Sequence, residues 1–366
     1  MTNLHDLLSI GGQSPWLDNL RRDWLQDGEM ATWLERGIRG VTSNPSIFQK
    51  AIEGQAVYDD QFGELIAAGT SVTDAYWELV ISDIEAALAL LRPIYDETDG
   101  LDGFVSVEVA PNLAHDTAGT ITAAKELHAR IDEPNLYVKI PGTAAGVPAI
   151  EQVIAGGGSV NVTLLFSVNR YADVIDAYLS GLEAHDGPLD HISSVASFFV
   201  SRVDTEVDKR LAAIGTPEAL SLQGRVAVAN AQVAYELFVD RFSGPRWDAL
   251  AARGAQVQRP LWASTGTKNP AYPPTLYVDT LIAPHTVNTM PDATLEAFDA
   301  SGTVARTADA DLAGAHAVLD QLAAVGIDLE AVTEQLEDEG VASFQKAFDE
   351  LLESLQAKAN ELKGYL

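Results

Sequence analysis

The sequence predicts a closed (β/α)8 barrel, the TIM-barrel architecture, with extra helices that include one at the C-terminal end. Short β-branched or apolar runs alternate with longer helical stretches, and Gly, Pro or Asn residues break the chain between them. Eight such runs are present, which is the number of parallel strands that closes a barrel. The alternation by itself leaves an open, doubly wound sheet as the alternative. The predicted strands lie at 14–18, 38–42, 103–109, 136–140, 159–165, 192–198, 260–264 and 277–283.

Stretches between these runs predict the helices that complete the βα units. They lie at 20–35, 71–92, 117–130, 144–155, 168–184 and 200–212. Further helices are expected within 45–100 and within 217–254. Residues 340–363 carry apolar side chains near helical spacing, which predicts a C-terminal helix packed on the barrel through core contacts.

The domain organisation follows from the length of the chain and from the lack of any recognisable linker within it. An α/β barrel exceeds about 250 residues as one unit, and no repeat, low-complexity tract or Ser/Gly linker divides the chain. We therefore expect one domain over residues 1–366. Its core is predicted at about 14–284, and a helical extension at about 292–366.

Composition and charge exclude several classes of function. A net charge of −30 argues against nucleic acid and anionic membranes as partners, since both bind basic surfaces. No apolar run approaches the ~20 residues that cross a bilayer, and the N-terminus lacks the pattern of a secretory signal. The absence of cysteine excludes disulfides, thiolate metal sites and a cysteine nucleophile. We expect a cytoplasmic protein.

One lysine stands where a structural strand would carry an aliphatic residue. Lys139 lies in LYVKIPG, between Val138 and Ile140. This partly apolar setting disfavours the ammonium form, which is how an amine becomes a nucleophile near neutral pH. A lysine that pairs with a carboxylate, or extends to the surface, is the structural alternative.

Other polar residues stand near the C-terminal ends of the predicted strands, where barrel enzymes place their sites. A strand period of two puts Asn161 and Thr163 on one face. Buried polar groups cost about 1–3 kcal/mol each unless they are hydrogen-bonded, so their convergence predicts a site. Asn44 can also simply cap the helix that starts at Pro45. The candidates are Asn44, Glu108, Asn161, Thr163, Ser197, Arg202 and Ser264.

Two common kinds of site are not supported by the sequence. The glycine run at 156–158 lacks the lysine and the Ser/Thr of a phosphate-binding loop, and it predicts a helix-to-strand turn. The seven histidines do not show the HExxH spacing of a zinc site. We expect no metal.

Six segments in this order resemble the transaldolase family. They are GVTSNPSIF, VSVEVAP, LYVKIPGT, VNVTLLFS, ISSVASFFVSRVD and LWASTGTKN. The match runs from Asp18 to Pro284, which is most of the chain. The resemblance implies a β/α barrel, class I aldol chemistry and no cofactor. It also implies transfer of a dihydroxyacetone unit between sugar phosphates, in the pentose phosphate pathway.

The resemblance assigns chemical roles to four residues. Lys139 would form the Schiff base with the ketose carbonyl. Glu108 would act as an acid and base through a water molecule, and Thr163 would orient that water. Asp18, in PWLDN, would be the base for the C4 hydroxyl of the sugar.

The resemblance also implies a set of substrate-binding residues. Asn44 and Asn161 would bind sugar hydroxyls, Ser197 and Phe199 would line the pocket, and Arg202, Ser264 and Lys268 would hold the phosphate. Family members often carry a Ser-x-Arg-Asn pattern after the seventh strand. Here the run from Ser264 to Asn269 is longer, and its basic residue is Lys268.

Two other functions remain open at this stage. A free aldolase on the same barrel, such as a fructose-6-phosphate or deoxyribose-phosphate aldolase, is the nearer one. The fructose-6-phosphate aldolases carry glutamine where Glu108 stands and tyrosine where Phe199 stands, so the two residues here favour a transaldolase. A non-catalytic barrel is the more distant alternative. The preferred sugars, and the choice between a monomer and a homodimer, are left open.

Overall fold

The computed structural model describes residues 2–364, with side chains through residue 362, and contains a closed barrel of parallel strands. In chain order the strands are β1 Gln13–Leu17, β2 Gly40–Thr42, β3 Phe104–Glu108, β4 Leu136–Pro141, β5 Val160–Leu165, β6 Ser194–Phe199, β7 Arg259–Ala263 and β8 Thr286–Met290. Each strand pairs with the next, and β8 closes the barrel by pairing with β1, Leu17 opposite Met290. The predicted barrel is confirmed, and the open sheet is wrong.

Helices surround the barrel. They are α1 Asn3–Ser9, α2 Arg22–Asp27, α3 Glu29–Glu35, α4 Pro45–Ile52, α5 Asp59–Ala67, α6 Val72–Glu97, α7 Thr117–Ile131, α8 Gly146–Ala155, α9 Val168–Ala184, α10 Ser201–Ile214, α11 Pro217–Leu220, α12 Val226–Arg241, α13 Gly244–Ala251, α14 Leu276–Asp279, α15 Asp292–Ser301, α16 Leu312–Ala324 and α17 Leu329–Gly364. The predicted helix at 20–35 is in fact two helices, because Gly28 between them has a left-handed φ of +92°.

The predicted eighth strand at 277–283 is wrong. That segment begins inside the short helix α14, and the strand that closes the barrel starts at Thr286, beyond the predicted core limit of about 284. The reason is chemical. The buried strand β8 carries Asn288, which accepts a hydrogen bond from Thr265 at 2.9 Å, and Thr286, which donates to Ala283 at 2.6 Å. Hydrogen-bonded polar residues fill the barrel there, so an apolar pattern does not reveal the strand.

Aromatic side chains fill the middle of the barrel. The rings of Phe104 and Tyr137 stack with centroids 4.0 Å apart, and Trp16 stacks on Tyr137 at 6.2 Å. Closer to the N-terminal ends of the strands, Arg259 and Asp102 form a buried ion pair at 3.0 Å. Tyr137 lies two residues before Lys139 on the same face of β4. The packed interior therefore leaves the C-terminal ends of the strands for a site.

The C-terminal helix α17 is longer than the sequence predicted and begins at Leu329. Its buried side chains include Phe344, Phe348 and Leu355, as expected for a helix packed on the barrel. It contacts α4, α6 and α10, and also the strand β5. These contacts place the helix across the C-terminal end of the barrel.

A helix that crosses a membrane is about 20 residues long and predominantly apolar. Between residues 2 and 364, no single helix is both long and apolar enough to cross a membrane. The helices α16 and α17 meet at an angle of 91°, and together they reach the length and apolar composition of a membrane span, by those two criteria alone.

Candidate active site

A cavity of about 450 Å³ opens at the C-terminal ends of the barrel strands. Eight of the residues predicted for a site line it: Asp18, Asn44, Lys139, Ser197, Phe199, Arg202, Ser264 and Lys268. The other three, Glu108, Asn161 and Thr163, are buried behind this wall on β3 and β5. The strand ends thus bring all eleven predicted residues to one end of the barrel.

Lys139 occupies the centre of this arrangement on β4. Only 4% of the residue is exposed, and its register partners on the adjacent strands are Glu108 and Asn161. Its Nζ donates a hydrogen bond to the carbonyl of Ser43 at 3.1 Å and lies 3.5 Å from Oε2 of Glu108. Lys139 therefore does contact a carboxylate, as the structural alternative expects. That carboxylate belongs to Glu108, which is itself a predicted site residue.

Glu108 carries a buried carboxyl group whose pKa lies near neutral pH. Burial raises its pKa to about 7, although the positive charge of Lys139 acts in the opposite direction. Within the described chain, neither of its carboxylate oxygens has a hydrogen-bond partner, and the buried hydroxyl of Thr163 has none either. A carboxyl group with a pKa near neutral can both take up and return a proton.

Asp18 follows β1 and faces the same cavity. It accepts a hydrogen bond from Thr42 at 2.7 Å, and the Thr42 hydroxyl lies 2.6 Å from that of Thr289. Burial raises the pKa of Asp18, while Lys139 and Thr42 partly offset that rise. Sequence reasoning missed both threonines. Thr42 meets the same strand-end criterion as the other candidates, whereas Thr289 belongs to the strand that was predicted in the wrong place.

Two predicted asparagines make hydrogen bonds within the protein. Asn161 donates to Ser106 at 3.0 Å and accepts from Ser197 at 2.7 Å, so it lies behind Ser197 and orients its hydroxyl. Asn44 caps α4 by accepting a hydrogen bond from the Ile47 amide at 3.0 Å, and it also lines the cavity. Structural capping and placement in the site therefore occur together at Asn44.

Arg202 lies in the first turn of α10, directly after β6. Its guanidinium carbon is 5.1 Å from the ring centre of Phe199 and 6.0 Å from that of Phe344. Arg202 does not pair with Asp204 or Glu206, the nearest carboxylates on its own helix. Asp204 accepts from the Ala227 amide and the Tyr277 hydroxyl, and Glu206 pairs with Lys209 and Arg210.

Ser264 and Lys268 reach the cavity from the loop that follows β7. Ser264 has a φ of +55°, an unusual left-handed conformation for a residue other than glycine, of the kind that clusters at functional sites. Its hydroxyl lies 2.9 Å from that of Ser201 at the start of α10. The longer Ser264–Asn269 run therefore still carries its basic residue to the site.

The cavity wall concentrates positive charge on a strongly acidic protein. Arg21 and Lys50 line it together with Arg202 and Lys268, and sequence reasoning did not single out the first two. The net charge of −30 repels anions at long range, but salt screens that repulsion beyond about 8–10 Å. Within the described residues, no group of three or more His, Asp or Glu is placed to hold a metal ion.

Fold and site together define an α/β-barrel enzyme with a buried lysine and two carboxyl groups at the C-terminal ends of its strands. The chain belongs to the transaldolase/fructose-6-phosphate aldolase family, whose model matches residues 15–355. Its relatives named transaldolase include one from Acidothermus cellulolyticus, 52% identical over 94% of each chain. Another, from Mycolicibacterium smegmatis, is 51% identical over 97% of each chain. Within the family, this likeness identifies an enzyme of the transaldolase type.

Proposed function

We propose that the protein transfers a dihydroxyacetone unit from a ketose phosphate to an aldose phosphate through a Schiff base on Lys139. The donors are sedoheptulose 7-phosphate and fructose 6-phosphate, and the acceptors are glyceraldehyde 3-phosphate and erythrose 4-phosphate, as in the pentose phosphate pathway. One observation carries the proposal: the buried Nζ of Lys139 lies 3.5 Å from Glu108, a carboxyl whose pKa is raised to about 7.

The first stage forms the iminium. The neutral Lys139 amine attacks C2 of the ketose, and the carbonyl oxygen takes up two protons, one released by the nitrogen and one from an acid, so that it leaves as water when the C=N bond forms. Glu108 can supply and recover these protons near neutral pH. The unpartnered oxygens of Glu108 and Thr163 have the hydrogen-bonding capacity to hold a water molecule as a relay.

The second stage breaks the carbon–carbon bond. Asp18 removes the proton of the C4 hydroxyl, the C3–C4 electron pair moves into the iminium, and the aldose phosphate leaves. The enamine remains on Lys139 until the aldehyde of a second aldose accepts its electron pair at C3 and the new alkoxide takes up the proton held by Asp18. Water then adds at C2 of the resulting iminium, the C2–N bond breaks, and the new ketose phosphate and the Lys139 amine are released. Ping-pong kinetics follow from this sequence.

Borohydride reduction tests the Schiff base directly. After incubation with fructose 6-phosphate and reduction, we expect a dihydroxyacetone-derived adduct on the peptide that contains Lys139. Peptide mass mapping is essential, because Lys50 and Lys268 line the same cavity. An adduct on either of those lysines, or no adduct at all, would contradict the assignment.

Phosphate recognition at Arg202 gives a second measurement. The helix N-terminus and the guanidinium both favour an anion here, and a charge-assisted hydrogen bond contributes about 1.5–3 kcal/mol. Arg202→Ala should therefore raise KM for fructose 6-phosphate roughly tenfold or more. Unphosphorylated dihydroxyacetone as donor should be affected much less.

The control lies on the same helix. Arg210→Ala removes an arginine that pairs with Glu206 and is not among the residues that line the cavity, and it should leave KM for both donors near that of the unmodified protein. Equal losses with both donors in Arg202→Ala would show that the residue is structural and that the phosphate binds elsewhere.

The family also includes fructose-6-phosphate aldolases, so transfer must be measured against simple cleavage. Glu108 and Phe199 occupy the positions at which the fructose-6-phosphate aldolases carry glutamine and tyrosine. A transferase consumes fructose 6-phosphate slowly until an aldose phosphate is added. Fast cleavage that does not respond to an acceptor would favour the aldolase instead.

A further inference from the structure

Two threonine hydroxyl groups approach Asp18 from the strands that flank β1. Asp18 follows β1 directly, and in the closed barrel β1 lies between β2 and β8. Thr42 is the last residue of β2, and Thr289 lies one residue before the end of β8. The two threonines are 1% and 2% exposed, and both line the active-site cavity. Side chains from three neighbouring strand ends therefore meet at the proposed base.

These hydroxyl groups form a hydrogen-bonded chain that has one direction when Asp18 is ionised. The Thr42 hydroxyl donates to Oδ1 of Asp18 at 2.7 Å and lies 2.6 Å from the Thr289 hydroxyl. A hydroxyl group carries a single proton, and Thr42 donates its proton to Asp18. Thr289 is therefore the donor in the short contact with Thr42.

A chain that points towards Asp18 favours the carboxylate form of that residue. A hydrogen bond to an ionised acceptor is roughly twice as strong as one between neutral groups, and a hydroxyl that accepts a hydrogen bond becomes a stronger donor. Burial acts in the opposite direction, because it raises the pKa of Asp18. A base must be ionised before it can take up the proton of the C4 hydroxyl. The two threonines thus support the form of Asp18 that the chemistry requires.

Other charged groups also face Asp18 from the elements packed around it. Two are basic and two are carboxyl groups: Lys139 on β4, Arg202 on α10, Asp292 on α15 and Glu108 on β3. The positive charge of Lys139 lowers the pKa of Asp18, but the amine that attacks the ketose is neutral and cannot have this effect. Donation from the hydroxyl chain does not depend on the charge of Lys139.

We propose that Thr289 is a positioning residue that fixes the direction of the Thr42 hydroxyl and thereby holds Asp18 as the carboxylate. This inference rests on the proposed function, in which Asp18 takes the proton of the C4 hydroxyl and later returns it to the new alkoxide. Because Oδ1 accepts from Thr42, the substrate proton is taken up at Oδ2. The protons of both threonine hydroxyls stay in place through the cycle.

Serine and alanine substitutions isolate the two hydroxyl groups, since both remove the methyl group of threonine and only serine retains the hydroxyl. In a ping-pong reaction, kcat/KM for fructose 6-phosphate covers the steps from the free enzyme to release of the aldose phosphate, and its pH profile reports groups of the free enzyme. Loss of the hydroxyl raises the pKa of Asp18, so the acidic limb of the profile should move to higher pH.

Thr42→Ala should match Thr42→Ser at alkaline pH and fall to roughly one-tenth of its kcat/KM on the acidic side. That change corresponds to a rise of one unit in the pKa of Asp18, or about 1.4 kcal/mol. Thr289→Ala should diverge from Thr289→Ser in the same direction by roughly threefold, because Thr42 still donates to Asp18 but is a weaker donor.

Thr333 on α17 provides the control pair. Its hydroxyl donates to the Glu330 carbonyl at 2.9 Å, and the residue is buried but is not among those that line the active-site cavity. Thr333→Ala and Thr333→Ser should keep the same ratio of kcat/KM at every pH. A ratio at position 289 that does not change with pH, or that changes equally at position 333, would overturn the inference while Schiff-base trapping on Lys139 still succeeded. Failure of trapping in the unmodified protein would overturn the proposed function, and this inference with it.

Discussion

Replacement of Lys139 by methionine should reduce transfer by a factor on the order of 10⁴ or more, because it removes the only group proposed to form the covalent intermediate. Methionine preserves most of the length and the apolar stem of the lysine. Steady-state formation of sedoheptulose 7-phosphate gives the rate, and borohydride treatment should leave no adduct.

Loss of the positive charge should not prevent folding. Lys139 lowers the pKa of Glu108 against the effect of burial, so its removal raises that pKa further and leaves Glu108 neutral at pH 7. A neutral buried carboxyl costs far less than an unpaired carboxylate. Lys209→Met, at an exposed lysine of α10, is the control and should retain the activity of the unmodified protein. Substantial transfer by Lys139→Met in a folded protein would contradict the Schiff-base mechanism.

The sequence predicts most of the barrel because seven of its strands combine a β-branched or apolar run with a polar residue near the C-terminal end. Those polar residues are costly in a core, and they are the candidates that the fold brings together. The same pattern does not locate the eighth strand. In β8, Thr286, Asn288 and Thr289 are buried and hydrogen-bonded, so only Val287 and Met290 supply an apolar signal.

The contribution of the C-terminal helix could not be predicted for a different reason. Apolar residues at helical spacing face the inside of the protein, but the spacing is the same whether the inside is core or the wall of a cavity. Phe344 and Leu355 are therefore equivalent in the sequence pattern. Only the crossing of α17 over the barrel, which brings Phe344 to Lys139, separates them.

Glu108→Gln should lower kcat by about 10²–10⁴ and change KM much less, because the amide preserves the shape of the side chain but cannot exchange a proton. Thr163→Ala should act in the same direction, since the hydroxyl has no protein partner in the described chain and is proposed to orient the relay water. Steady-state kinetics with fructose 6-phosphate and erythrose 4-phosphate separate the two parameters. A change confined to KM would show that these residues only bind substrate.

The pH dependence of stability tests the state of Glu108 without reference to activity. Its pKa is raised from 4.5 to about 7 in the folded protein, so between these values the folded state binds more protons than the unfolded state. The contribution of this group to stability therefore falls as pH rises through that window. The Glu108→Gln side chain cannot ionise, so the free energy of unfolding of this variant, relative to that of the unmodified protein, should rise from pH 5 to pH 8 by on the order of 1 kcal/mol or more. Denaturant unfolding at each pH measures this difference. The opposite trend would mean that Glu108 is stabilised as a carboxylate, and that its burial beside Lys139 does not prepare it to carry a proton at neutral pH.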